Sequence, residues 1–135
     1  MIPRIRLLVL LLQLGAPGVP LFAHHSFAAD FDASKPITLR GIVTRVDWMN
    51  PHVHFQIDVK DESGKVENWD FELGSPNTLM RSGWTRSTLK TGQKITVKGC
   101  RSKDGTTQGN ATTILSSEGK ALLSGAAAGE NLVAR

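Results

Sequence analysis

The chain has 135 residues, of which 40% are hydrophobic and 21% charged, and a formal net charge of +4. That length accommodates one domain and excludes two of ordinary size. Cys100 is the only cysteine, so an internal disulfide and a C-x-x-C redox centre are excluded.

Residues 1–23 differ from the rest. MIPRIR brings two arginines and no acid, LLVLLLQL is a short apolar run, and GAPGVPLFA closes on a small residue. A basic start, an apolar centre and a small-residue end predict a secretory signal cleaved after Ala23, and so a periplasmic or secreted protein. The apolar run is shorter than the roughly 20 residues a bilayer demands, so no stable membrane span is expected. Cleavage also removes Arg4 and Arg6, and no lysine or arginine block remains to suggest nucleic acid. Residues 24–36 then form an N-terminal segment ahead of a barrel domain over 37–118.

ITLRGIVTRVDW (37–48) is the first expected strand, with a bend or bulge at Gly41. HVHFQIDVKD (52–61) alternates clearly, with Val53, Phe55, Ile57 and Val59 on one face and His52, His54, Gln56, Asp58 and Lys60 on the other. A turn at Asp61–Gly64 leads to VENWDFEL (66–73), where Val66, Trp69, Phe71 and Leu73 face inward. Ser75 and Pro76 then supply an N-cap and a first helical residue. Leu79 and Met80 are expected on the inner side of a short helix that Gly83 ends, with Trp84 and Leu89 packed beneath. KITVKGC (94–100) and NATTILSS (110–117) are the last two strands, and 119–135 reads as a flexible tail. The order β-β-β-α-β-β predicts an all-β protein with one short helix, a five-stranded Greek-key barrel of the OB type.

Chemistry centres on the four histidines, which fall into two pairs. On a strand, His52 and His54 share a face with Cα atoms roughly 6.5–7 Å apart, a spacing at which two imidazoles converge on one ion. If the mature chain begins at His24, its α-amine and imidazole chelate together, and His25 adds a further nitrogen. A nitrogen-rich set of His24, His25, His52 and His54 suits copper, with zinc as the alternative. Met49 is a nearby soft ligand for Cu(I), although apolar filling explains it more simply. A second reading is a non-metal binding module, in which Trp48 and Trp84 line a cleft for a small ligand or an envelope protein. No G-x-S-x-G, phosphate loop or paired catalytic carboxylate occurs, so no catalytic residue is assigned. Cys100, near the end of a strand-like run, reads as a partly buried small hydrophobe.

The strings HHSF, NPHV, GSPN and GW, in that order from His24 onward, resemble a family of small secreted bacterial proteins catalogued as a domain of unknown function. The likeness runs to about Ser117. It implies an exported, β-rich single domain and carries no activity, substrate or cofactor. His24, His25 and His52 fall inside the matching strings, whereas His54 lies where the pattern is looser.

Overall fold

The computed structural model describes residues 27–124, so His24, His25, the expected leader and the tail beyond 124 lie outside the described residues. Its elements are α1 (Phe27–Asp30), β1 (Phe31–Asp47), β2 (His54–Lys60), β3 (Val66–Glu72), α2 (Pro76–Arg81), β4 (Lys94–Ser102), β5 (Gln108–Ser116) and β6 (Ala121–Ser124). The strands form one sheet in the order β3-β2-β1-β4-β5-β6. It closes into a ring where β3 meets β5 in parallel, at Asp70↔Gln108, Phe71↔Gly109 and Glu72↔Asn110. Closure of this kind, with a helix between β3 and β4, is the expected OB-like barrel. The strand count differs by one, because β6 is added as a hairpin on β5. Among the described residues no helix is long and apolar enough to cross a membrane.

β1 is long because it serves two neighbours. Phe31–Ile42 pairs with β4, and Ile42–Asp47 pairs with β2. At Gly41 a Cβ would lie 2.7 Å from the Asp58 carbonyl oxygen, so glycine allows β1 to pass close over β2. The register shift sits just beyond it, between Val43 and Arg45. β1 begins at Phe31, earlier than the periodicity suggests, since residues 33–36 are all exposed and carry no apolar alternation to read.

The core follows the period-two pattern of β2 and β3. Val53, Phe55, Ile57 and Phe71 are wholly buried, with the Phe55 and Phe71 rings stacked at 5.4 Å. The register Phe55↔Phe71 and Ile57↔Trp69 brings these rings together across the hairpin. Val66 is the exception at the open end of β3, where it is exposed.

Helix α2 caps one end of the barrel. Ser75 Oγ accepts from the Thr78 amide at 3.2 Å, Pro76 opens the first turn, and Gly83 follows the end at φ 85°. Leu79 is buried, but Met80 is 52% exposed, contrary to the expectation that both face inward. Adjacent helical residues point about 100° apart, and so short a helix has only one buried stripe. Trp84 is buried, and its indole N–H donates to the Leu122 carbonyl at 2.7 Å, tying the helix region to β6. That strand falls within the expected tail. The turn around Gly119 (φ 80°) returns the chain so that Leu123 is buried opposite Ile114. Cys100 is buried, and burial pushes its thiol pKa up, which suits an inert packing role.

Candidate functional site

His52 and His54 flank buried Val53, so alternation turns both imidazoles to the outer wall of the barrel. On β3, Asp70 and Glu72 alternate with buried Trp69, Phe71 and Leu73 and therefore share that wall. The antiparallel register sets His54 opposite Glu72 and Gln56 opposite Asp70. Side chains then pair diagonally: His52 Nδ1 lies 3.0 Å from Glu72 Oε1, and His54 Nδ1 lies 3.4 Å from Asp70 Oδ2. Both contacts use Nδ1, which leaves each Nε2 as the nitrogen available to a ligand. The two imidazoles are each a little over one-third exposed.

The electrostatics of the cluster are mutual. The hydrogen bond from His54 to Asp70 raises the His54 pKa, the charges of Asp70, Glu72 and Asp47 add to it, and burial opposes. Burial raises the Glu72 pKa, while the two histidines pull it back down. Asp70 Oδ1 is buried and accepts no hydrogen bond among the described residues. Arg45, which would repel a cation here, is held by Asp47 at 2.8 Å. Asp58 shares the strand face but accepts from Asn68 Nδ2 at 2.7 Å and takes no part in the histidine pairs.

A stability consequence follows from these shifts. His54 binds its proton more tightly folded than unfolded, so its pair contributes fully below its ordinary pKa of 6.5 and is lost as pH rises through the raised folded value. Glu72, also raised, favours the fold while protonated, and that contribution fades as pH climbs above 4.5. Both slopes have the same sign. The denaturation midpoint is expected to be higher at about pH 6 than at about pH 8.5, and His54→Gln should flatten that interval. A wild-type midpoint constant across it would show that Asp70 does not hold a charged imidazole. On the acid side, Asp32, Asp61 and Asp104 are held below 3.8, chiefly by hydrogen bonds from Ser34, Ser63 and Thr106, and set the opposite limit.

The start of the described chain lies near this wall. The Asp30 carbonyl accepts from the Lys103 amide at 2.9 Å and from Ser102 Oγ at 3.3 Å, which fixes α1 to β4 and the loop after it. Phe27 and Phe31 pack with ring centroids 5.6 Å apart. The charge of Asp30 also reaches Glu72, where it raises that carboxyl's pKa. Among the described residues, no group of three or more His, Cys, Asp or Glu side chains is arranged to hold a metal ion.

Trp48 and Trp84 border a separate groove of about 750 Å³, together with Met49, Pro76, Met80 and Arg86. Trp84 forms its buried floor. Trp48 is half-buried at the rim, with the Arg86 guanidinium 5.9 Å from its ring centroid. Met49 and Met80 are 54% and 52% exposed. Sequence reasoning missed Met80 here, and it missed Asp70 and Glu72 as partners of the histidines. The signal for the carboxylates was present: NWDFEL places them on the polar face, and a tight hairpin sets that face beside HVHFQ.

A family described as of unknown function, DUF6152, matches residues 13–111. No curated protein matches the chain, and no solved structure does. The matched stretch contains both histidine pairs, Asp70, Glu72 and the whole of β1 to β4. The chain belongs to the DUF6152 family, a family of unknown function.

Proposed function

We propose that this is an exported metal-binding protein that holds one copper ion through His24, His25 and His52, with His54 beside them, for sequestration or delivery. One observation carries the reading: two neighbouring imidazoles on one wall each have Nδ1 engaged by a carboxylate, so that Nε2 takes no part in either contact. A carboxylate on the far nitrogen fixes the tautomer and orientation of a ligating histidine and raises its basicity. Two imidazoles alone leave a site incomplete, and the N-terminal pair supplies the remaining nitrogens. Two residues separate His24 from Phe27, so three chain steps give a reach of about 10 Å in extended chain. Nitrogen-rich, tetragonal ligation favours Cu(II), with zinc the competing ion. Export with cleavage after Ala23 is part of the reading, because it creates the α-amine at His24. A second reading rests on the Trp48 groove, whose exposed Met49 and Met80 offer an apolar lining to a small ligand or an envelope protein.

The test is Cu(II) titration of protein beginning at His24, with electron paramagnetic resonance, alongside His24→Ala and His52→Ala. The expected result is a 1:1 complex with a nitrogen-rich axial spectrum, lost in His24→Ala and altered in His52→Ala. No stoichiometric binding, or binding indifferent to both substitutions, would overturn the copper reading and favour the groove.

A further inference from the structure

A different part of the barrel wall carries an unassigned cationic groove. Strands β1 and β4 pair with Thr38 opposite Lys98, Arg40 opposite Thr96 and Ile42 opposite Lys94. Their inward neighbours Ile95 and Val97 are buried, so these six side chains stand on the outer face. Lys94 and Lys98, four residues apart on β4, thus lie about 13 Å from each other, and Arg40 on β1 sits diagonally between them, offset from each by about 7 Å along the strand and about 5 Å across it. Lys60, at the end of β2, brings a fourth positive charge to the same concavity of about 780 Å³.

Among the described residues none of Arg40, Lys60, Lys94 and Lys98 forms an ion pair, whereas Lys35, Arg45 and Lys65 each hold a carboxylate. Asp58, which accepts from Asn68, is the one acid lining the groove, so one negative charge stands against four positive ones. Like charges gathered on one face in excess of their counter-charge repel one another, and an anion that bridges them relieves that cost. Thr38 and Thr96 alternate with the cations and add hydroxyl donors. Ile42, 44% exposed, and Leu115 supply an apolar strip. The volume suits an organic molecule far better than a single inorganic ion.

We propose that this groove binds a soluble organic polyanion bearing two or more phosphate groups, gripped by Arg40, Lys94, Lys98 and Lys60. The site is independent of the histidines. Phosphate groups match it because each takes several N–H and O–H donors at once, and the guanidinium of Arg40 presents two in parallel.

The test uses inositol hexakisphosphate as probe, titrated calorimetrically into the metal-free protein in the presence of a chelator. Binding is expected to weaken with added salt, and roughly tenfold for each of Arg40→Gln, Lys94→Gln and Lys98→Gln. Lys65→Gln removes the same charge outside the groove and should leave affinity within about twofold. Near-UV circular dichroism of the tryptophans confirms that each exposed substitution leaves the fold intact. Equal weakening by Lys65→Gln would reduce the effect to net charge and overturn the proposal. Indifference to the three groove substitutions would do the same. Phosphatidylglycerol vesicles form a separate arm: groove-dependent binding to vesicles with none to the hexakisphosphate would identify a membrane surface and overturn the soluble ligand.

Discussion

Gly99→Ala is expected to unfold the protein or to cost it more than about 3 kcal/mol, beyond the usual range for an added methylene in a packed interior. An added Cβ would sit 1.9 Å from the Asn110 carbonyl oxygen and 3.1 Å from the Ala111 Cα. Those are backbone atoms of the adjacent strand, so no rotamer change relieves the overlap. Gly99 also pairs with Ile37 of β1, which holds it from the other side. The crowding arises from a bulge. Lys98 faces Thr113 and Gly99 faces Ala111, so Thr112 is the extra residue, and its hydroxyl donates to the Lys98 carbonyl at 3.2 Å. Gly92→Ala is the comparison, at φ 85° with nothing within 4 Å, and should cost only about 1–2 kcal/mol of left-handed strain. Urea denaturation of both variants measures the difference. A Gly99→Ala midpoint no lower than that of Gly92→Ala would show that β4 and β5 separate easily at the bulge.

The same contrast explains what the sequence made legible. The β2–β3 hairpin was readable because Val53, Phe55 and Ile57, then Trp69, Phe71 and Leu73, mark one face over a short loop. Helix α2 was readable from Ser75-Pro76. Local patterns of this kind also imply that Asp70 and Glu72 lie beside His52 and His54, once the hairpin register is counted. The start of β1 was hidden because Asp32–Lys35 carries no apolar period. β6 was hidden because a four-residue strand anchored by Leu123 has too little alternation to distinguish from a small-residue tail. Arg40 and Lys94 meet through a β1–β4 pairing more than fifty positions apart, which no local window encodes. The cationic groove therefore exists only in the folded chain. Met80 illustrates a subtler limit: an apolar residue beside Leu79 reads as core until the helix proves too short to bury two faces.

Phe71→Ala is the second large effect, expected to cost about 3–5 kcal/mol, a large share of the stability of a small barrel. Phe71 is wholly buried, stacks on Phe55 at 5.4 Å and lies 6.1 Å from Trp69 between ring centroids. It also stands at the seam of the ring, opposite Gly109, where a Cβ would come within 2.8 Å of its Cε1. Glycine on β5 makes room for the ring, and the ring in turn fills the space that glycine leaves. Truncation therefore opens a cavity at the short parallel pairing that closes the barrel. Because Asp70 and Glu72 flank Phe71 on the same strand, the histidine wall should loosen with it. Glu72→Gln separates the two effects. It removes the carboxylate from His52 without touching the core, so the denaturation midpoint should barely move while copper affinity falls roughly 10–100-fold. Phe71→Ala should lower both together, and Phe71→Leu should recover part of each. A Phe71→Ala protein with an unchanged midpoint would mean that the β3–β5 seam is not held by its aromatic packing. An unchanged midpoint with unchanged affinity in Glu72→Gln would mean that the carboxylate does not orient His52 for a metal.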